Sequence, residues 1–172
     1  VYAKNLSYTK EFRAKLSQKS MSDYYNKIEH HGVRKGQKYG EERISVTGLD
    51  IRPNQRYWIE CPDGSYVIPK GTTIPNNIQS GSKIIPEKGD GVWKWIFERY
   101  TDEFNKGNIV FKETSTSPLI DENGNQSRWN LYNKIWLEDR ITEGRVPVNF
   151  IDNMENRQSS SELKKLDIPF DF

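Results

Sequence analysis

The aromatic-rich stretch of residues 56–111 limits this chain more than any other feature. It opens with Arg56-Tyr57-Trp58-Ile59-Glu60-Cys61, turns at Pro62-Asp63-Gly64 and continues through Ser65-Tyr66-Val67-Ile68-Pro69. Two short runs rich in aromatic and β-branched residues flank a Pro that presets φ and a Gly that supplies positive φ, which predicts a β-hairpin. Gly89-Asp90-Gly91-Val92-Trp93-Lys94-Trp95 then leads through a helical run to Gly107-Asn108-Ile109-Val110-Phe111, read as strand, helix, strand. Phe97, Tyr100 and Phe104 share one helical face, and Gly107 stands where a C-terminal cap is expected. These residues predict an α+β fold and, by themselves, no chemistry.

Composition sets the outer limits. At 172 residues the chain is about one domain, and 12% aromatic residues argue against disorder despite 29% charge and a mean hydropathy of −0.89. No run approaches the ~18 apolar residues of a membrane span, and the N-terminus lacks a signal-peptide pattern, so a soluble, cytoplasmic chain is expected. One cysteine, Cys61, excludes an internal disulfide and a cysteine-rich zinc site. The net charge of +2 is uneven: residues 1–43 hold ten Lys/Arg against five Asp/Glu, an excess of +5, which leaves −3 for the remainder. A polyanion would meet the N-terminal third first, whereas lysines that merely solvate a helix are the plain alternative.

In chain order, Val1-Tyr2-Ala3-Lys4-Asn5 reads as the end of a strand. Ser7 or Thr9 caps a helix with Tyr8, Phe12 and Leu16 on one face, and Met21, Tyr24, Tyr25 and Ile28 recur at helical spacing in a second. The segment Val33-Arg34-Lys35-Gly36-Gln37-Lys38-Tyr39-Gly40 is a candidate for nucleic-acid contact, its glycines admitting phosphate close to the backbone, before a strand Arg43-Ile44-Ser45-Val46-Thr47. A flexible surface loop is the alternative. Residues 70–90 form a long loop, and such loops are often functional. In it Asn76, Asn77 and Gln79 carry amides able to bond adenine bidentately, with Lys83 and Lys88 available to phosphate; an insertion without a role is the alternative. A second hairpin is expected about Asp121-Glu122-Asn123-Gly124, with residues 129–137, partly apolar on both faces, as a central strand packed on two sides. Ser159-Ser160-Ser161-Glu162 resembles a capping box before a short helix.

The chain has no Gly-rich phosphate loop, no nucleophile elbow and no zinc-spaced histidine pair. His30-His31 without a third ligand is a weak metal signal. Asp63, Glu98 and Asp139 are the carboxylates available for a paired site, and turn, cap or surface roles suit them better. Neither an enzyme nor a metal site is expected within these residues.

The order Val1-Tyr2-Ala3-Lys4-Asn5, Arg56-Tyr57-Trp58, Pro62-Asp63-Gly64, Val67-Ile68-Pro69, Gly91-Val92-Trp93-Lys94-Trp95, Gly107-Asn108-Ile109-Val110-Phe111, Trp136-Leu137-Glu138 and Phe170-Asp171-Phe172 resembles bacterial DNA adenine-N6 methyltransferases. The likeness is to modification subunits of type III restriction-modification systems. In that family an Asp-Pro-Pro-Tyr catalytic motif precedes such a region and a Phe-x-Gly-x-Gly motif for S-adenosylmethionine follows it; neither occurs here. The resemblance therefore implies the intervening segment, which contains the target recognition domain that reads DNA. Its implied organisation is a helical, basic arm over residues 1–47, an α+β recognition core over 48–158, and a short helix and tail over 159–172 leading back to a catalytic domain. S-adenosylmethionine would belong to the parent enzyme and not to this segment. The implied partners are double-stranded DNA, the parent's catalytic domain, a second modification subunit and a restriction subunit, with no membrane.

Two functional classes follow. In the first, a DNA reader, Arg34, Lys35, Lys38 and Arg43 position phosphate, with Lys83 beside them, while Asn76, Asn77, Gln79, Arg128 or Asn130 read bases. In the second, an assembly module, aromatic surfaces dock onto other subunits and touch DNA little. The expected fold is α+β, with aromatic-rich β-hairpins in a mixed or antiparallel sheet and short flanking helices.

Overall fold

The computed structural model describes residues 18–47 and 51–144. Among these residues three helices, α1 (Gln18–Tyr24), α2 (Phe97–Asn105) and α3 (Leu137–Glu143), accompany nine strands. These are β1 (Lys27–Ile28), β2 (Lys38–Arg43), β3 (Ser45–Thr47), β4 (Ile59–Glu60), β5 (Tyr66–Pro69), β6 (Gly91–Trp93), β7 (Ile109–Glu113), β8 (Leu119–Asp121) and β9 (Trp129–Trp136). The fold is α+β. Among the described residues every strand pair is antiparallel, in sheets ordered β1-β2-β9-β7, β3-β6 and β4-β5-β8. Residues 18–139 form one compact unit.

The first hairpin forms as its turn residues require. Gly64 adopts φ +82° and its N–H donates to the Cys61 carbonyl, closing Pro62-Asp63-Gly64 between β4 and β5. Alternation then divides the hairpin's side chains. Tyr57, Ile59, Val67 and Leu119 enter the main core with Trp93, Trp95, Tyr100, Trp129 and Leu131, whereas Trp58, Ile68 and Ile120 gather in a separate cluster. Two rings of the main core are bonded across it: Tyr57 Oη donates to the Trp95 carbonyl at 3.0 Å, and Trp93 Nε1 donates to the Tyr57 carbonyl at 2.7 Å, whereas the buried Trp129 indole N–H has no hydrogen-bond partner among the described residues.

The stripe on α2 packs as its spacing predicts. Phe97 meets Tyr57 edge-on at 5.1 Å, and Phe97, Tyr100 and Phe104 follow at 6.0 Å intervals. Ile96 gives the helix no side-chain cap, so packing holds this short element; Gly107, at φ +72°, donates its N–H to the Phe104 carbonyl and ends it.

Four sequence expectations change. Ile28 lies in β1 and not on a helix, because the second helix stops at Tyr24. Arg43-Ile44-Ser45-Val46-Thr47 divides at Ile44, so that β2 pairs with β9 and β3 with β6. Residues 27–47, expected within an N-terminal arm, thereby belong to the sheets. The second hairpin exists only at its turn, where Ile120 bridges Gln126; beyond it β8 pairs with β5, and β9 lies between β2 and β7. β9 is central in its sheet as expected, but it ends at Trp136, and one of its faces carries lysines over aromatic rings in place of a second packed layer. The strand at 1–5, the helix at 7–16, the capping box at 159–162 and the boundary at 158 lie outside the described residues.

The long loop at 70–90 is organised by one buried ion pair. Arg56 is fully buried; its Nε and Nη2 donate to the Thr73 carbonyl, and Nη1 donates to the carbonyls of Pro69 and Gly91 at 2.8 and 2.6 Å. Asp90 lies 3.6 Å from Nε and accepts from Thr72, Thr73 and the Glu87 N–H, tying both ends of the loop to one carboxylate. Gly71 leaves room for this arrangement, since a Cβ there would stand 2.4 Å from Asp90 Oδ1 and 2.8 Å from Arg56 Nη2. Further along, residues 81–84 run antiparallel to residues 56–58, just before β4: Trp58 and Gly81–Ser82 exchange backbone hydrogen bonds, Tyr57 bridges Lys83, and the Ile84 N–H donates to the Arg56 carbonyl.

Removing one member of a buried pair leaves the other charge without compensation, so Arg56→Ala is expected to destabilise the protein by about 3–5 kcal/mol in urea unfolding. A second expectation concerns pH. Burial opposes ionisation of Asp90, but hydrogen bonds from Thr73, Thr72 and Glu87 outweigh it and hold the carboxyl well below the carboxylate range. Its stabilisation is complete above the unfolded-state value of about 3.9 and is lost as pH falls below it. Urea midpoints measured from about pH 5 to pH 2 should fall for the native chain and fall less steeply in Asp90→Asn, the remaining slope belonging to the other lowered carboxylates such as Glu29 and Glu41.

Candidate nucleic-acid interface

The four-stranded sheet has two chemically different faces, which follow from the period of two along β9. Trp129, Leu131, Asn133 and Ile135 share one face, and Trp129 and Leu131 belong to the main core. Asn130, Tyr132, Lys134 and Trp136 share the other. Registered pairs add Tyr39, Glu41 and Arg43 from β2, Lys27 from β1, and Val110 and Lys112 from β7 to this second face.

Cations lie over rings throughout this polar face. Lys134 Nζ sits 5.2 Å from the Tyr39 ring centre and 5.8 Å from that of Trp136, the Arg34 guanidinium is 4.8 Å above Trp136, and Lys112 Nζ is 5.0 Å from Tyr132. Trp136 Nε1 donates to Asn108 Oδ1 at 3.0 Å, which fixes the ring beneath its two cations. Lys27 and Lys112 both pair with Glu41, and Lys134 pairs with Glu29. Burial raises the Glu41 carboxyl, yet hydrogen bonds from Lys112 and Lys27 outweigh it and keep the group below its ordinary value; Lys134 does the same for Glu29. Four strand cations against these two carboxylates leave the face at +2. One carboxylate shared by two lysines leaves a cation uncompensated, and Arg43 is exposed with no ion pair among the described residues.

The proposed phosphate and base contacts fall in separate places. Arg34 and Lys35 stand on the β1–β2 turn, where Gly36 adopts φ +87°. Arg34 is half-buried, bonded to Asp139 at 3.1 Å, and lines an open groove of about 650 Å³ with residues 105–108 at the end of α2. Lys38 is exposed, but alternation turns it to the face opposite Tyr39 and Arg43. Arg43 borders a second groove, of about 570 Å³, together with Lys70, Gly71 and Gly89. Asn76, Asn77 and Gln79 are exposed on the long loop, as is Lys88. Lys83 bonds Glu98 in the first turn of α2 at 3.0 Å. Lys83 thus stands at the N-terminal end of α2 and the basic turn beside its C-terminal end.

Three assignments need correction. Asn130 is 2% exposed and its amide donates to Tyr132 Oη, so it cannot meet a base edge. Arg128 is held between Asp63 at 3.3 Å and Glu113 at 3.4 Å, and two carboxylates around one guanidinium make that corner a poor base or phosphate contact. Gly40 serves packing and not phosphate approach, because a Cβ there would lie 2.2 Å from the Tyr24 ring. Lys27, Lys112 and Lys134 were not singled out from sequence. Their signal was the alternation of Asn130, Tyr132, Lys134 and Trp136, in which a lysine stands among aromatics on one strand face.

Asp63, Glu98 and Asp139 each face a cation, Arg128, Lys83 and Arg34, and not one another. No group of three His, Cys, Asp or Glu able to hold a metal occurs among the described residues, and none of their helices is long and apolar enough to cross a membrane. Burial pushes the Cys61 thiol up to about 12, which removes it as a nucleophile at neutral pH. Cys61 should therefore resist a thiol-specific reagent in the native protein and react in full once denaturant exposes it. No family model matches the chain, nor does any curated protein or solved structure.

Proposed function

We propose that this chain is a DNA-binding module, the sequence-recognition segment of a DNA adenine-N6 methyltransferase of the type III modification class. The observation that supports DNA binding best is the cation array on the polar face of the four-stranded sheet. Rings that hold protein cations are not free to stack on bases, which favours contact with the phosphate backbone over capture of unstacked single strands. Arg43, Lys35, and the lysine that Glu41 leaves uncompensated supply the charge.

The methyltransferase assignment rests on the order of the sequence motifs. On that reading the catalytic residues and S-adenosylmethionine belong to the parent's catalytic domain, and the partners are duplex DNA, that domain, a second modification subunit and a restriction subunit. The assembly alternative draws on exposed Ile74, Ile78 and Ile85. Salt separates the two, because phosphate contacts release counterions and an apolar surface does not.

Fluorescence anisotropy of short duplexes titrated across salt tests the proposal. The logarithm of the affinity should fall linearly with log salt, by roughly 0.9 for each phosphate neutralised. Arg43→Ala and Lys35→Ala should weaken all duplexes alike and each reduce the slope by about one, while Lys38→Ala, on the other face, should change little. Glu41→Gln, which releases two lysines from one carboxylate, should bind more tightly with a steeper slope. Binding that ignores salt would contradict the DNA reading and favour assembly.

A further inference from the structure

The tip of the long loop combines three properties that the phosphate face does not use. Its root is tied down: Arg56 and Asp90 close the two ends, and residues 81–84 are bonded to residues 56–58. Pro75 is buried, so the segment that follows leaves the domain from a fixed point. Beyond it Asn76, Asn77, Ile78 and Gln79 are all exposed. Among the described residues no hydrogen bond occupies the side-chain amides of Asn76, Asn77 or Gln79. Ile78 stands 52% exposed between them.

A lone exposed isoleucine is ordinary. One framed by unbonded amides on a clamped loop has a specific chemical complement. In the major groove an A·T pair presents the adenine N7 acceptor and N6 donor beside the thymine O4 and 5-methyl group. An amide matches the adenine edge bidentately, and an aliphatic side chain matches the methyl. Interleaved amides also break the continuous apolar patch that a protein-docking surface needs.

We propose that residues 76–79 form a major-groove reading arm for an A·T pair, with the Asn77 amide bidentate on the adenine edge, Ile78 against the thymine methyl, and the amides of Asn76 and Gln79 left for the neighbouring base pairs. This rests on the DNA-binding reading and divides the labour within it: the sheet face carries affinity, and the loop carries discrimination. The clamp lets the arm keep its shape before DNA arrives, so little ordering entropy is lost on binding.

The full chain is incubated with a randomised duplex pool at moderate salt, and the retained duplexes are sequenced. Each thymine of the enriched site is then replaced by uracil, which lacks the 5-methyl group. At one position the native chain should lose about fourfold in affinity, the equivalent of one buried methyl group. Ile78→Ala should bind the thymine duplex about fourfold more weakly and be indifferent to the uracil replacement. Asn77→Ala should lose roughly fivefold or more of its preference at the paired adenine, whereas Arg43→Ala should weaken binding and keep the preference. The tip residues lie outside the clamp and the core, so unchanged thermal unfolding of these variants is expected and is checked in parallel. Salt-sensitive binding without enrichment, or an Ile78→Ala chain that still distinguishes thymine from uracil, overturns the reading arm alone. Absence of salt-sensitive binding overturns the arm and the DNA reading together.

Discussion

The buried guanidinium of Arg56 is the constraint on which the long loop and the strands beside it depend. A cation in the interior is tolerated only when charge and hydrogen-bonding groups are both satisfied. Arg56 meets that condition by drawing in the carbonyls of Pro69, Thr73 and Gly91 and the carboxylate of Asp90. Those partners are the end of β5, the start of the loop, its final residue and the start of β6. Satisfying one side chain therefore fixes where the loop leaves the hairpin and where it returns. Burial disfavours the charged guanidinium and Asp90 opposes that tendency, so neither partner is at home without the other.

Above this anchor the four-stranded sheet divides two tasks between its faces. One face supplies Trp129 and Leu131 to the aromatic core, packed by Phe111 edge-on to Trp129 at 6.2 Å. The other displays lysines and arginines over Tyr39, Tyr132 and Trp136. The rings confine the cations without neutralising them, whereas Glu29 and Glu41 neutralise in part. The balance between these two effects sets how much positive charge remains for an anionic partner.

Much of the fold was legible in the sequence, and the reasons are local. Pro62-Asp63-Gly64 specifies its turn through backbone preference alone, and Phe97, Tyr100 and Phe104 specify their helix face through spacing. What depended on distant partners was not legible. Nothing near Ile44 announces that the strand changes sheets there, because the cause is the pairing of β2 with β9 and β3 with β6. Gly40 reads as a flexible residue until the Tyr24 ring is seen to occupy the space of its missing Cβ. The basic segment at 34–43 was visible as charge, but its division between two faces required strand register. Arg128 and Asn130 have the right side chains for base contact, and only tertiary neighbours show that one is held by carboxylates and the other is buried.

The most direct test of the central claim, that the polar sheet face meets DNA, is to map backbone amide chemical shifts of the isotopically labelled chain during titration with a short duplex. Shifts on Lys27, Arg34, Lys35, Tyr39, Arg43, Lys112 and Lys134, joined by residues 76–79 where the arm meets the groove, and fading together as salt is raised, are the predicted result. Shifts confined to the exposed Ile74 and Ile85, or shifts on the polar face that persist unchanged at high salt, would contradict it.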